Sequence, residues 1–284
     1  MSFASPVKNY HTETYNAISP SLPSLSSKGK NVLITGAGSG IGREIALSFA
    51  RSSADNIAIL GRRVEPLEET KQLIAKSYPA VKVYTYSADV TDLSALQTAF
   101  SSFASAVNGP IHTLVANAGY HPGVGKVVDF STDSLAFSLT ANVVGTANTL
   151  QAFHPHIPTH KDATGYKAKV IHVSSGVTHI SFPEASAYSV AKTAGAKVMD
   201  FYALETPDVF VLNYHPGIVT TDMSTKGGRL TADTDSKQAP YCRTEDNANI
   251  YASQSNSLPI SRSGLHPQSR HSWVAADSSG RIGM

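Results

Sequence analysis

Six short apolar runs, each separated from the next by a stretch of at least helix length, constrain this chain more than any other feature. The runs are Val32–Thr35, Ile57–Leu60, Val81–Tyr86, Ile111–Ala116, Lys169–Ser174 and Val209–Asn213. All but Val81–Tyr86 are predominantly apolar runs rather than half-polar alternations. Such strands are buried on both faces, which is the habit of a parallel sheet with helices on either side. The intervening segments supply those helices. Arg43–Arg51 places Ile45, Ala46, Phe49 and Ala50 on one side, and Val64–Ser77 reads as a polar helix. Asp92–Asn108 opens on an acid suited to a cap, and Thr132–His154 and Ala185–Leu204 are two more helices. Parallel neighbours require right-handed crossovers. The expected fold is therefore α/β, a doubly wound parallel sheet of Rossmann type in a single domain.

The remaining chain divides around that domain. Residues 1–30 read as a polar leader, with Pro20 and Pro23 in a Ser-rich run and no apolar segment of the kind a secretory signal needs. Residues 31–230 form the domain, with a substrate lid near 221–230 hinged at Gly227 and Gly228. Residues 231–284 read as a divergent, irregular tail, in which only Ser272–Ala276 has strand-like content. The net charge of +2 is spread along the chain, which argues against nucleic acid or an anionic membrane as partner. No apolar run approaches the ~20 residues of a membrane span. The single cysteine, Cys242, cannot pair within the chain and suits a reducing compartment, so a cytoplasmic protein is expected.

Between the first run and the first helix lies Gly36-Ala37-Gly38-Ser39-Gly40-Ile41-Gly42. Glycines at a strand-to-helix turn let backbone amides approach a pyrophosphate, and the helix N-terminus adds favourable potential. A dinucleotide is the expected ligand. An acid at the end of the second strand would select NAD; Arg62 and Arg63 stand there instead. A guanidinium suits the 2′-phosphate of NADP(H).

The chemistry has its own constellation. Tyr188 and Lys192 are spaced i, i+4, one turn apart on one helical face, and Ser175 precedes Tyr188 by 13 positions at the end of a strand. A neighbouring ammonium favours the phenolate and brings the phenol's proton exchange closer to neutral pH. The serine hydroxyl can hold a carbonyl or alcohol oxygen beside it.

Over about residues 31–223 these motifs resemble the short-chain dehydrogenase/reductase family. Thr35 to Gly42 is similar to its T-G-x-x-x-G-x-G turn, which implies cofactor contacts from Gly36, Ser39, Gly40, Ile41 and Gly42. Asp89 matches the acid after strand three, implied to contact the adenine. Asn117 lies in Ala116-Asn117-Ala118-Gly119, similar to N-N-A-G, which passes near the ribose. Asn142, in Asn142-Val143-Val144-Gly145, resembles the asparagine that anchors a relay water. Pro216 to Thr221 resembles P-G-x-V-x-T, which implies that Val219 and Thr221 hold the nicotinamide carboxamide. The resemblance implies hydride transfer between the nicotinamide and a carbonyl or secondary alcohol of a small organic substrate; a mixed apolar, His- and Phe-lined pocket suits a mid-sized one, an association with specialised metabolism. Tyr188 would act as the acid or base, Ser175 would polarise the oxygen, and Lys192 would tune Tyr188 and bind the ribose. It further implies a homodimer or homotetramer.

Two other classes stand beside this reading: a non-redox enzyme on the same scaffold, and a nucleotide-binding module whose activity the tail compromises. The intact Ser175, Tyr188 and Lys192 argue against both. His154, His156, His160 and Asp162 suggest a metal, but Pro155 and Pro158 break the segment, and no metal is expected. His121, His179 and Phe182 are candidate pocket residues.

Overall fold

The computed structural model describes residues 16–158, 167–217 and 219–226. The expected tail (231–284), Cys242, His160, Asp162 and the hinge Gly227 and Gly228 lie outside the described residues. Six parallel strands form one sheet in the order β3-β2-β1-β4-β5-β6. They are β1 (Asn31–Thr35), β2 (Asn56–Gly61), β3 (Lys82–Ser87), β4 (Thr113–Ala116), β5 (Lys169–Val173) and β6 (Phe210–Tyr214). The helices are α1 (Gly40–Arg51), α2 (Val64–Ser77), α3 (Leu93–Ala106), α4 (Thr132–Leu139), α5 (Gly145–Phe153), α6 (Ser186–Glu205) and the short α7 (Asp222–Lys226).

Strand periodicity explains the two cores. Along β1, Val32 and Ile34 face one side, where Ile45 and Phe49 of α1 and Leu67 and Ile74 of α2 cover them. Leu33 faces the other side, with Phe100 and Phe103 of α3, Leu150 and Phe153 of α5 and Met199 of α6. Each such side chain, fully buried, contributes about 1.5–3 kcal/mol. Strand β3 closes one edge and is only half buried, as its partial alternation suggests. Its Tyr84 and Tyr86 rest edge-on against Phe103, with ring centres 5.4 and 6.4 Å away.

Two expectations are corrected in detail. The ladder of β4 starts at Thr113, because the Ile111 N–H donates to His156 O at 2.8 Å and not to a strand. The helix expected over Thr132–His154 is not continuous: a π-helical turn, Thr140–Val144, separates α4 from α5. That turn is wedged where two glycines allow close approach. A Cβ on Gly195 of α6 would stand 2.7 Å from Asn142 O, and one on Gly145 would stand 2.7 Å from Val90 Cγ2.

Ahead of β1, Leu25 and Ser27 are buried. The Ser27 N–H donates to Ser52 O at 2.7 Å and the Gly29 N–H to Asp55 Oδ1 at 2.8 Å, which fastens this segment to the α1–β2 corner. No described helix is long and apolar enough to cross a membrane.

Candidate functional site

Because all six strands are parallel, their C-terminal ends share one edge. The strand order reverses between β1 and β4, and at such a switch point the loops diverge and leave a crevice. The glycine turn leaves β1 at that point. Gly36 and Gly40 have φ of +67° and +53°, which other residues adopt at a cost. A Cβ on Gly42 would lie 2.2 Å from Gly36 O, so helix α1 begins in contact with the turn before it. Asn117, at the end of β4, fastens the turn from behind. Its Nδ2 donates to Thr35 O at 3.0 Å and to Gly36 O at 3.1 Å, and its backbone N–H donates to Thr35 Oγ1 at 3.1 Å. Ser39 is exposed at the N-terminus of α1, and its hydroxyl makes no capping bond to the helix. Ile41 packs against the core beneath.

Arg43 is a contributor that sequence reasoning missed. It donates through Nη2 to Gly38 O at 2.6 Å and to Glu69 Oε2 at 2.8 Å, and through Nε to Thr70 Oγ1 at 3.0 Å. It thereby ties the glycine turn to α2. The only hint in the sequence was its place in the first turn of α1.

Arg62 and Arg63 are exposed where β2 ends. Arg62 Nη1 stands 3.7 Å from Asp89 Oδ2, a loose and exposed pair worth little in water. Asp89 Oδ1 accepts from the Thr91 N–H at 2.9 Å and from its hydroxyl at 2.8 Å, so the carboxylate is held at the end of β3.

Helix α6 carries Tyr188, half buried, and Lys192, which is 4% exposed. Lys192 Nζ donates to Val173 O on the last residue of β5, at 2.6 Å. Burial pushes its pKa down to about 8. Ser175 follows β5 immediately, and its Oγ accepts from the Val177 N–H at 3.4 Å, leaving the hydroxyl hydrogen able to turn toward a substrate oxygen. Ser189 Oγ donates to Val177 O at 2.6 Å, tying the first turn of α6 to the segment after Ser175. Beneath Lys192, His172 is fully buried and its pKa is lowered to about 3, by desolvation first and by the Lys192 charge second. Its Nδ1 lies 2.8 Å from Asn213 Oδ1, and Asn213 Nδ2 donates onward to Asp200 Oδ1 at 3.2 Å.

Asn142 occupies the π-helical turn and is buried. Its Nδ2 donates to Tyr120 O at 2.8 Å and to Ser138 O at 2.9 Å, and its Oδ1 accepts from the Tyr120 N–H at 3.3 Å. The side chain expected to anchor a water is thus engaged by the loop after β4. Gly119 packs closely against it: a Cβ there would stand 2.9 Å from Asn142 Oδ1, too near for any side chain, and 3.9 Å from Lys192 Nζ.

Of the candidate pocket residues, His121 lies against Tyr188, with ring centres 4.5 Å apart and planes inclined by 35°. His179 and Phe182 are exposed on the segment between Ser175 and α6. Val219 is buried, and Thr221 leans over the glycine turn, since a Cβ on Gly40 would meet Thr221 Cγ2 at 3.1 Å. His154 and His156 stand apart from this edge; His154 Nδ1 is 3.1 Å from the Tyr202 hydroxyl and His156 Nε2 is 3.3 Å from Ser101 Oγ.

Comparison with known proteins agrees with this fold. A short chain dehydrogenase/reductase from Aspergillus novofumigatus is 31% identical over 222 residues, which cover 76% of this chain and 73% of the relative. An NADP-dependent 3-hydroxy acid dehydrogenase from Schizosaccharomyces pombe is 29% identical over 227 residues, covering 78% and 85%. A short-chain type dehydrogenase/reductase from Mycobacterium marinum superimposes with a TM-score of 0.72 at 24% identity, over 82% of this chain and 92% of that one. A short chain dehydrogenase from Burkholderia cenocepacia, solved in complex with NADP, does so with a TM-score of 0.67 at 25% identity, over 81% and 91%. The short chain dehydrogenase family model matches residues 30–229, and the chain belongs to that oxidoreductase family.

Proposed function

We propose that this protein reduces a carbonyl of a small organic substrate, or oxidises the corresponding secondary alcohol, with NADP(H). The observation that carries the reading is Lys192: an ammonium buried in the core, fixed to the end of β5 and one helical turn from Tyr188. Burying a charge is costly and is maintained where it does work on a neighbour.

The residues present fit the cofactor. Positive φ at Gly36 and Gly40 opens backbone amides at the N-terminus of α1, where a pyrophosphate is favoured. Arg62 and Arg63 offer guanidinium groups to a 2′-phosphate, and Arg62 gives up only a 3.7 Å contact to do so. The NADP named with the S. pombe relative and the Burkholderia structure supports the same choice. Thr221, beside the glycine turn, and the buried Val219 would hold the carboxamide.

When bound, the nicotinamide supplies or accepts the hydride. The chain's own groups manage the oxygen. Ser175 donates a hydrogen bond to it and orients the carbonyl. Tyr188 gives the oxygen its proton in reduction and removes it in oxidation. Lys192 stabilises the tyrosinate left behind, and Asn142 would anchor the water that links Lys192 to solvent. The exposed His179 and Phe182 near Ser175 suit a mid-sized organic carbonyl, the kind found in specialised metabolism. A second copy of the chain is the proposed partner.

The test is consumption of NADPH and of NADH against a panel of ketones and aldehydes. Turnover with NADPH, weakened about tenfold or more in KM for NADPH but not for NADH by Arg62→Ser, agrees with the reading. No oxidation of either nucleotide across the panel, with both still bound, would favour the binding-module alternative.

A further inference from the structure

Asn142 holds both backbone polar groups of Tyr120, so the loop after β4 is fixed to the π-helical turn at one residue. The Tyr120 ring adds an edge-to-face contact with Phe137 of α4, at 4.7 Å between centres. The next residue, His121, is thereby placed against the phenol of Tyr188, 4.5 Å ring to ring. Its orientation is fixed twice more. Pro122 follows it, which restricts its backbone to extended conformations. Its Nδ1 accepts from the Gly123 N–H at 3.1 Å, in a turn that uses Gly123 at φ of +96°. An acceptor at Nδ1 means the neutral ring, with its hydrogen on Nε2.

We propose that His121 is a positioning residue for Tyr188, whose ring backs the phenol and keeps its hydroxyl on the line between Ser175 and the cofactor crevice. The proposal rests on Tyr188 being the proton donor. A ring fixed independently by the β4 loop and packed against the phenol limits its swing about the side-chain torsions. Stacked rings prefer offset or tilted arrangements within 4.5–7 Å, and the observed pair lies at the close end of that range. A small displacement of a reacting group is enough to slow catalysis severely.

The experiment compares His121→Ala, His121→Phe and Tyr188→Phe in the full chain, with kcat, KM and NADPH affinity measured for each. The expected result is a kcat about tenfold lower in His121→Ala. NADPH affinity stays unchanged, and most of the rate returns in His121→Phe, which keeps a ring. Adding His121→Ala to Tyr188→Phe should cost nothing further, because there is no hydroxyl left to aim. Two results would overturn the proposal while leaving the Tyr188 assignment intact. One is a His121→Ala enzyme with normal kcat. The other is a His121→Phe enzyme as slow as His121→Ala, since that pattern requires an imidazole hydrogen bond. Normal turnover in Tyr188→Phe would instead remove the assignment on which the proposal stands.

Discussion

Two buried bases sit side by side under the site, and the fold keeps them in different states. His172 is held neutral and Lys192 carries the charge at neutral pH. The arrangement has a stability signature. The folded pKa of His172 is about 3 against an ordinary 6.5, so between those values the unfolded chain binds a proton that the fold does not. Stability is therefore lost as pH falls from about 6.5 toward 3, by about 2 kcal/mol at pH 5 from this residue alone. Urea titrations at pH 7 and pH 5 should show a smaller difference in His172→Asn, whose amide can still bond to Asn213. An equal difference in both proteins would place the acid sensitivity elsewhere. Lys192 acts in the alkaline range: its folded pKa near 8 lies below the ordinary 10.5, and the cost of the buried ammonium is relieved as pH rises through that window. The i, i+4 spacing of Tyr188 and Lys192 was readable from sequence because it is local. The His121 ring on Tyr188 was not, since it brings together residues 67 positions apart whose contact depends on the β4 loop being tied to Asn142.

At the scale of elements, segments whose burial follows a regular pattern were legible. Helix α2 spans Val64–Ser77, as its polar and apolar pattern suggests, and the continuous apolar runs of β1, β2, β5 and β6 became strands within a residue or two. The π-helical turn at Thr140–Val144 was illegible because one extra residue in a turn barely disturbs a 3.6-residue period over 22 positions. It is recognisable only from its neighbour: α6 crosses it at Gly195, with Asn142 O where a side chain would be. Replacing Gly195 by Ala forces backbone against a methyl group at 2.7 Å, and neither helix can yield as a flexible side chain would. We expect a loss of about 1–3 kcal/mol in unfolding free energy. Activity should also fall, because α6 carries Tyr188 and Lys192. An Ala variant of unchanged stability and rate would show that the crossing has slack. Arg43 belongs to the same scale; its bonds to Gly38, Thr70 and Glu69 join three elements and leave no periodic trace.

For the whole molecule, the strand order places the glycine turn, Asn117 and Ser175 at one edge of a single sheet, although they are spread over more than a hundred residues. Right-handed crossovers between parallel strands make that outcome nearly obligatory once six buried runs are recognised. Helix α6 serves two sides of the molecule. Tyr188 and Lys192 face inward, while Val190, Phe201 and Leu204 recur along the opposite face and are each more than half exposed. Three large apolar side chains in a row on one helix suit a partner surface. Sedimentation of the intact chain should give a dimer or tetramer, and Phe201→Asp should shift it toward monomer; a monomer at micromolar concentration without the substitution would contradict this.

The central claim is that the Tyr188 hydroxyl transfers the proton beside a bound nucleotide. The most direct measurement is NADPH oxidation by Tyr188→Phe with a carbonyl that the unmodified protein reduces, paired with NADPH affinity in the same samples. The account predicts a kcat lower by about 100-fold or more with the affinity within a few-fold. Turnover undiminished in the absence of that hydroxyl would contradict it.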